Sequence, residues 1–146
     1  MLDTDMASYV IKGRSPQVAA RLAEIPPSMV CVSAVTRAEL MYGLKRLPER
    51  HRLQLGVRQF LRLVRVLAWD SDAADYYADI RHQLVVSGQP IGELDMMIAA
   101  HSLSLGAAIV TNNTRYYARI AAPLTVVNWT SDSLYAQPRE PQKPTS

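Results

Sequence analysis

The 146 residues, 49% of them apolar and 20% charged, suit one domain built on one core and leave no length for a second. No apolar run approaches the roughly 20 residues that cross a bilayer, and Asp3 stands where a leader would carry a basic and then an apolar block, so a cytoplasmic protein, neither exported nor membrane-bound, is expected. The single cysteine, Cys31, excludes an internal disulfide and a cysteine-built zinc site and suits a buried thiol in a reducing compartment, while a net charge of +3 permits nucleic acid without requiring it.

Met1 to Thr4 reads as the end of a short strand, and an amphipathic stretch beginning at Asp5 or a neighbour runs through Ile11 to a stop near Gly13. Ser15-Pro16 opens a second helix by the N-cap and first-turn proline rule, with Val18, Leu22 and Ile25 as its apolar face and Pro26-Pro27 as its end. Met29 to Val32 is a short unbroken apolar run, which predicts a strand buried on both faces. Ser33 or Thr36 caps the helix after it, which runs to about Leu47 and is closed by Pro48. The next helix is expected from near Glu49, with Leu53, Val57, Phe60, Leu61 and Val64 on one side and basic residues on the other. Val64 to Trp69 then reads as a strand and Asp72 to Val86 as a surface helix ending at Ser87-Gly88. After a loop marked by Pro90 and Gly92 come a helix from about Glu93 to Leu105, a strand over Ala107 to Val110, a short helix, and a last strand over Leu124 to Trp129. Helices recurring between short apolar strands predict an α/β fold, a three-layer α/β/α sandwich with a mostly parallel central sheet. It spans residues 1–130, and residues 131–146, rich in Pro, Gln, Ser and Thr, are expected to form a flexible tail.

Ligands of such folds gather at the carboxyl ends of the strands. Asp3 ends the first strand, Glu39 lies early in the helix after the second, and Asp95 lies in the first turn of the helix before the fourth, so all three face one rim. Clustered acids without a Cys or His motif suit a hard cation such as Mg²⁺ or Mn²⁺, and without one they would repel and raise each other's pKa. Each also has a purely structural reading: Asp3 or Asp5 as helix N-caps, Thr36-x-x-Glu39 as a capping box, Asp95 as a charge favouring a helix dipole. Those explanations are independent of one another, whereas the metal reading needs all three acids at equivalent positions, where they are.

Four ordered blocks carry a resemblance: Met1-Leu2-Asp3-Thr4-Asp5, Val32-Ser33-Ala34-Val35-Thr36-Arg37-Ala38-Glu39-Leu40-Met41-Tyr42-Gly43, Pro90-Ile91-Gly92-Glu93-Leu94-Asp95, and Val110-Thr111-Asn112-Asn113-Thr114-Arg115. Together they resemble the PIN-domain family, and within it the VapC-type ribonuclease toxins, from the first residue to Asn128-Trp129. The resemblance implies a small α/β/α domain that hydrolyses phosphodiester bonds of RNA, tRNA or another structured RNA included, with Mg²⁺ or Mn²⁺. It also implies a homodimer silenced by a cognate antitoxin protein. Carried over block by block, it makes Asp3, Glu39 and Asp95 the catalytic metal-binding acids. The family's fourth acid falls on Tyr116, before Tyr117, and a phenol is a poor ligand for Mg²⁺ at neutral pH. Asp5 and Asn113 are the available substitutes.

An acidic pocket needs flanking cations to admit phosphate. Lys12, Arg14 and Arg115 lie near the expected rim, Lys45 and Arg46 near the break between two helices, and Arg58, Arg62 and Arg65 at i, i+4, i+7 spacing. Tyr42, Tyr116 and Tyr117 are candidates for stacking on unpaired bases. His101 is assigned to structure, and His51 and His82 show no partner pattern. Two other readings stand beside the nuclease: a degenerate PIN-like module that only binds RNA or protein, and a haloacid dehalogenase-like phosphatase, which Asp3-x-Asp5 after a strand also resembles.

Overall fold

A computed structural model describes residues 1–131; the expected tail, apart from Ser131, lies outside the described residues. The elements are α1 (Thr4–Lys12), α2 (Pro16–Glu24), β1 (Cys31–Ser33), α3 (Ala34–Lys45), α4 (Arg52–Leu63), β2 (Arg65–Leu67), α5 (Ser71–Val86), α6 (Glu93–Leu105), β3 (Ile109–Val110), α7 (Thr114–Tyr117) and β4 (Val126–Val127). None of these helices is long and apolar enough to cross a membrane.

All strand pairings are parallel: β1 with β2, β3 with β4, and residue Leu2 bridging Val32 on one side and Val110 on the other. The first strand is thus reduced to one residue, yet it joins the two strand pairs. Leu2 N–H donates to the Cys31 carbonyl at 2.9 Å, Asp3 N–H to Val110 at 3.0 Å, and Val110 N–H returns to Met1 at 2.8 Å. Alternation across the sheet divides the core. Leu2, Val32 and Val110 face a cluster with Met6, Val18, Leu40, Val57 and Phe60, whereas Met1 and Ile109 face one with Ile80, Leu84, Ile98 and Tyr117. Helices α1 to α4 therefore cover one face and α5 to α7 the other, as the three-layer expectation requires.

Local chemistry explains the helix ends. Asp3, Ser15, Ser33 and Asp70 each accept a first-turn backbone N–H at the start of α1, α2, α3 and α5. Gly13 and Gly106, at φ 61, close α1 and α6 in the left-handed conformation. Three expectations shift. The run from Met29 is not strand throughout: Pro27–Met29 forms a 3₁₀ turn, Met29 is 73% exposed, and β1 begins at Cys31. Helix α4 starts at Arg52, because His51, not a residue near Glu49, caps it, its Nδ1 accepting from Leu53 N–H at 3.2 Å. His51 therefore has a partner. The Thr36 capping box does not form, since Ser33 is the cap and Thr36 lies buried inside α3.

Leu2 is 1% exposed at the junction of both strand pairs. Leu2→Ala is expected to lower the unfolding free energy by about 3 kcal/mol, seen as a lower urea midpoint at unchanged m value; a loss below about 1 kcal/mol would show that the site collapses around the gap.

Candidate metal centre

The carboxyl edge of the sheet collects the acids because Leu2, β1 and β3 all end there. Asp3 leaves the sheet and enters α1; it is 3% exposed, and its Oδ1 accepts from Met6 N–H at 2.8 Å. The N-cap role and a place in the pocket are therefore compatible, because the cap engages one oxygen. Glu39, half-buried on α3, accepts a 2.6 Å hydrogen bond from the Thr4 hydroxyl, which lies 3.2 Å from Thr36 Oγ1. Asp95, half-buried in the first turn of α6, has the Tyr117 hydroxyl 3.4 Å from Oδ1, long for such a bond. On its other side a Cβ built on Gly92 would stand 3.0 Å from Oδ2, so the glycine leaves room for this carboxylate.

The acids feel one another. Burial pushes Asp3 up from 3.8 to about 6, with Asp5 and Asp95 adding repulsion, against hydrogen bonds from Thr111 and Met6. Burial also raises Asp95, with Glu39 and Asp5 adding to it and Tyr117 opposing. No Lys or Arg pairs with any of these acids among the described residues, where the ion pair formed is Arg81 with Glu93 at 3.2 Å. Nor, among those residues, do three Asp, Glu, His or Cys side chains close up tightly enough to grip an ion as they stand. Uncompensated like charges splay apart, and here each carboxylate turns to a donor of its own. A set of mutually repelling oxygen donors without a protein cation fits a hard divalent ion.

The structure brings Asp5 and Asp95 within electrostatic reach of Asp3, and Glu39 and Asp5 within reach of Asp95. Asn113 is nearby through its backbone, its N–H donating to Thr111 Oγ1 at 2.8 Å. Lys12 and Arg46 line a cleft of about 420 Å³ that also contains Thr4 and Glu39. Arg14, Arg115, Tyr42 and Lys45 are exposed, and none of them lines that cleft. The expected arginine stripe is broken, because Arg65 lies on β2; Arg58 and Arg62 instead face Arg37 across a pocket of about 190 Å³. Tyr117 is 1% exposed and unable to stack on a base, while Tyr116, 40% exposed, has the Arg119 guanidinium 4.9 Å from its ring centre. His101 is structural, its buried Nδ1 2.8 Å from Ser33 Oγ. Sequence reasoning missed the donors Thr4, Thr111 and Tyr117; the hydroxyl between the two acids of Asp3-Thr4-Asp5 was the one readable signal.

The fold and this edge define a small parallel α/β/α domain with acids gathered at its strand ends. A model of the PIN domain matches residues 1–123, and the chain belongs to the PIN domain family, which decides between the two family resemblances. It is 37% identical over 131 residues to the tRNA(fMet)-specific endonuclease VapC of Shigella flexneri, covering 88% of this chain and 96% of the relative. With ribonuclease VapC2 of Haemophilus influenzae the identity is 36% over 129 residues, with 88% and 96% covered. Among solved structures, DNA-bound VapBC from Salmonella typhimurium superposes with a TM-score of 0.82 at 34% identity, covering 88% of this chain and 96% of that one.

The raised Asp3 has a testable sign. A folded-state pKa near 6 against an ordinary 3.8 means that the folded protein holds this proton more tightly, so stability falls as pH rises between those values. Asp3→Asn keeps a good N-cap and removes the charge. In chelator the variant is expected to melt above the wild type at pH 7.5, with the gap closing as pH drops from about 6 towards 4; a gap independent of pH would contradict the burial of this charge.

Proposed function

We propose that this chain is the endoribonuclease toxin of a toxin–antitoxin pair, hydrolysing RNA phosphodiester bonds with Mg²⁺ or Mn²⁺ held by Asp3, Glu39 and Asp95. The observation that carries the reading is that Asp3 and Asp95, at one strand edge, are both pushed up by burial, with neighbouring acids adding to the rise, and that among the described residues no Lys or Arg pairs with either. When bound, a divalent ion makes a water more acidic and offsets charge that builds on the phosphoryl oxygens.

The chain's own groups do the rest. The α1 cap fixes the Asp3 carboxyl, the Thr4 hydroxyl fixes Glu39, and Asp5, exposed in the first turn of α1, adds negative charge to the same pocket. Asp5 is the better substitute for the absent fourth acid, since it acts electrostatically on both Asp3 and Asp95. Lys12 and Arg46 hold the RNA backbone beside Glu39 in the adjoining cleft, where their charge counters repulsion between phosphate and acids. The relatives support RNA as substrate, tRNA included, and a cognate antitoxin as partner: they are VapC ribonucleases, and those solved include VapBC complexes. A homodimer is part of the same proposal.

Two experiments test it. Antitoxin-free protein incubated with total RNA is expected to cleave with Mn²⁺ and not with chelator; Asp3→Ala, Glu39→Ala and Asp95→Ala should each lose at least about 100-fold in rate, and Asp5→Asn less than that. Binding without cleavage under both conditions would leave a binding module only. In chelator, Lys12→Ala and Arg46→Ala should weaken binding of a single-stranded RNA oligonucleotide and each lower the slope of log affinity against log salt by about 1; unchanged slopes would remove the cleft from the RNA path.

A further inference from the structure

Tyr117 brings one polar atom from the core beneath α6 into the carboxylate pocket. The ring is packed in the cluster that contains Met96, Ile98 and Ile120, and its hydroxyl makes one hydrogen bond among the described residues, to Asp95 Oδ1. A phenol is ordinarily neutral at neutral pH, its pKa being about 10. A neutral phenol beside an anionic carboxylate donates. Packing alone does not call for it, since phenylalanine would fill the same volume and bring no buried polar atom that needs a partner.

The opposite side of Asp95 is equally defined. Its Oδ2 lies in the space that Gly92 leaves open, where an added Cβ would stand 3.0 Å away, so the carboxylate has a hydroxyl on one side and room that depends on a glycine on the other. The neighbouring Tyr116, where the resemblance expects an acid, turns outward against Arg119 and sends nothing into the pocket.

We propose that Tyr117 is a positioning residue: its hydroxyl, 3.4 Å from Asp95 Oδ1 and able to shorten onto it, orients Asp95 for a divalent cation and supplies a neutral donor where the resemblance expects a fourth acid. The inference rests on the reading of Asp3, Glu39 and Asp95 as the metal-holding set. It gives the pocket a group that orders a ligand without adding a negative charge, and outer groups of this kind commonly change metal affinity by about 10–100-fold.

The test is Mn²⁺ binding to the metal-free full chain, with free ion followed by electron paramagnetic resonance and heat by calorimetry. Tyr117→Phe keeps the ring and is expected to bind Mn²⁺ about 10-fold or more weakly than the wild type, with an altered spectrum of the bound ion. Gly92→Ala presses on the same carboxylate from the other side without touching Tyr117 and is expected to weaken binding too. Should Tyr117→Phe fail to melt cooperatively, site-specific replacement of Tyr117 by a fluorotyrosine, which keeps the ring and changes the donor strength of the hydroxyl, decides in its place, and an Mn²⁺ affinity that does not change with donor strength overturns the role of the hydroxyl. A folded Tyr117→Phe with affinity within about twofold of the wild type overturns the role of the hydroxyl and leaves the metal reading standing. A wild type that binds no Mn²⁺ overturns both.

Discussion

Burial of carboxylates at one edge of the sheet, with repulsion between them as a smaller addition, is the constraint around which the candidate site is arranged. Asp3 and Asp95 are both driven towards protonation by burial, Asp3 with Asp5 and Asp95 adding to it and Asp95 with Glu39 and Asp5, yet among the described residues no Lys or Arg pairs with them. The usual resolution for buried like charges is a paired cation or a moved side chain. Here the backbone limits the second to rotation of the side chains. Leu2 is bonded to strands on both sides, so Asp3 cannot leave the edge without breaking the link between β1 and β3. What remains adjustable is the direction of each carboxyl group, and each is turned to a separate donor: a backbone N–H, a threonine hydroxyl and a tyrosine hydroxyl.

This arrangement separates the two electrostatic jobs of a nuclease site. Anionic groups sit at the strand ends, while the cations that would meet a polyanion stand one helix away, with Lys12 at the end of α1 and Arg46 just past α3. Both line the cleft that includes Glu39. The separation has a physical reason. A lysine or arginine placed directly among the acids would neutralise them and remove their preference for a divalent ion, whereas one at the margin draws in phosphate and leaves the acids unpaired.

The parts of this structure legible in the sequence were those with a local cause. Ser15-Pro16 and the Leu105-Gly106 boundary carry their own stop and start chemistry, and α2 and α6 follow it. The three acids were legible because strand ends in a parallel fold share one edge. The Met29 to Val32 run failed for want of direction: four consecutive apolar residues have no period, and the tandem prolines before them impose a tight turn that consumes the first. Ser33 and Thr36, both capable caps three residues apart, were separable only once the end of β1 was known. Helix α7 is too short for any pattern, so nothing local told Tyr116 from Tyr117.

That last ambiguity bears on the chemistry. Two adjacent tyrosines point in different directions, one into the core and one against Arg119, and the inward one has its hydroxyl at Asp95. Had the outward position carried an acid turned inward, the pocket would have gained another negative charge and more repulsion to overcome. The phenol supplies order instead, because a neutral donor stabilises one orientation of an ionised carboxylate without adding to the charge around it. In the proposed metal site, the Tyr117 hydroxyl on one side of Asp95 and the space left by Gly92 on the other would set the direction of this carboxylate by placement more than by charge.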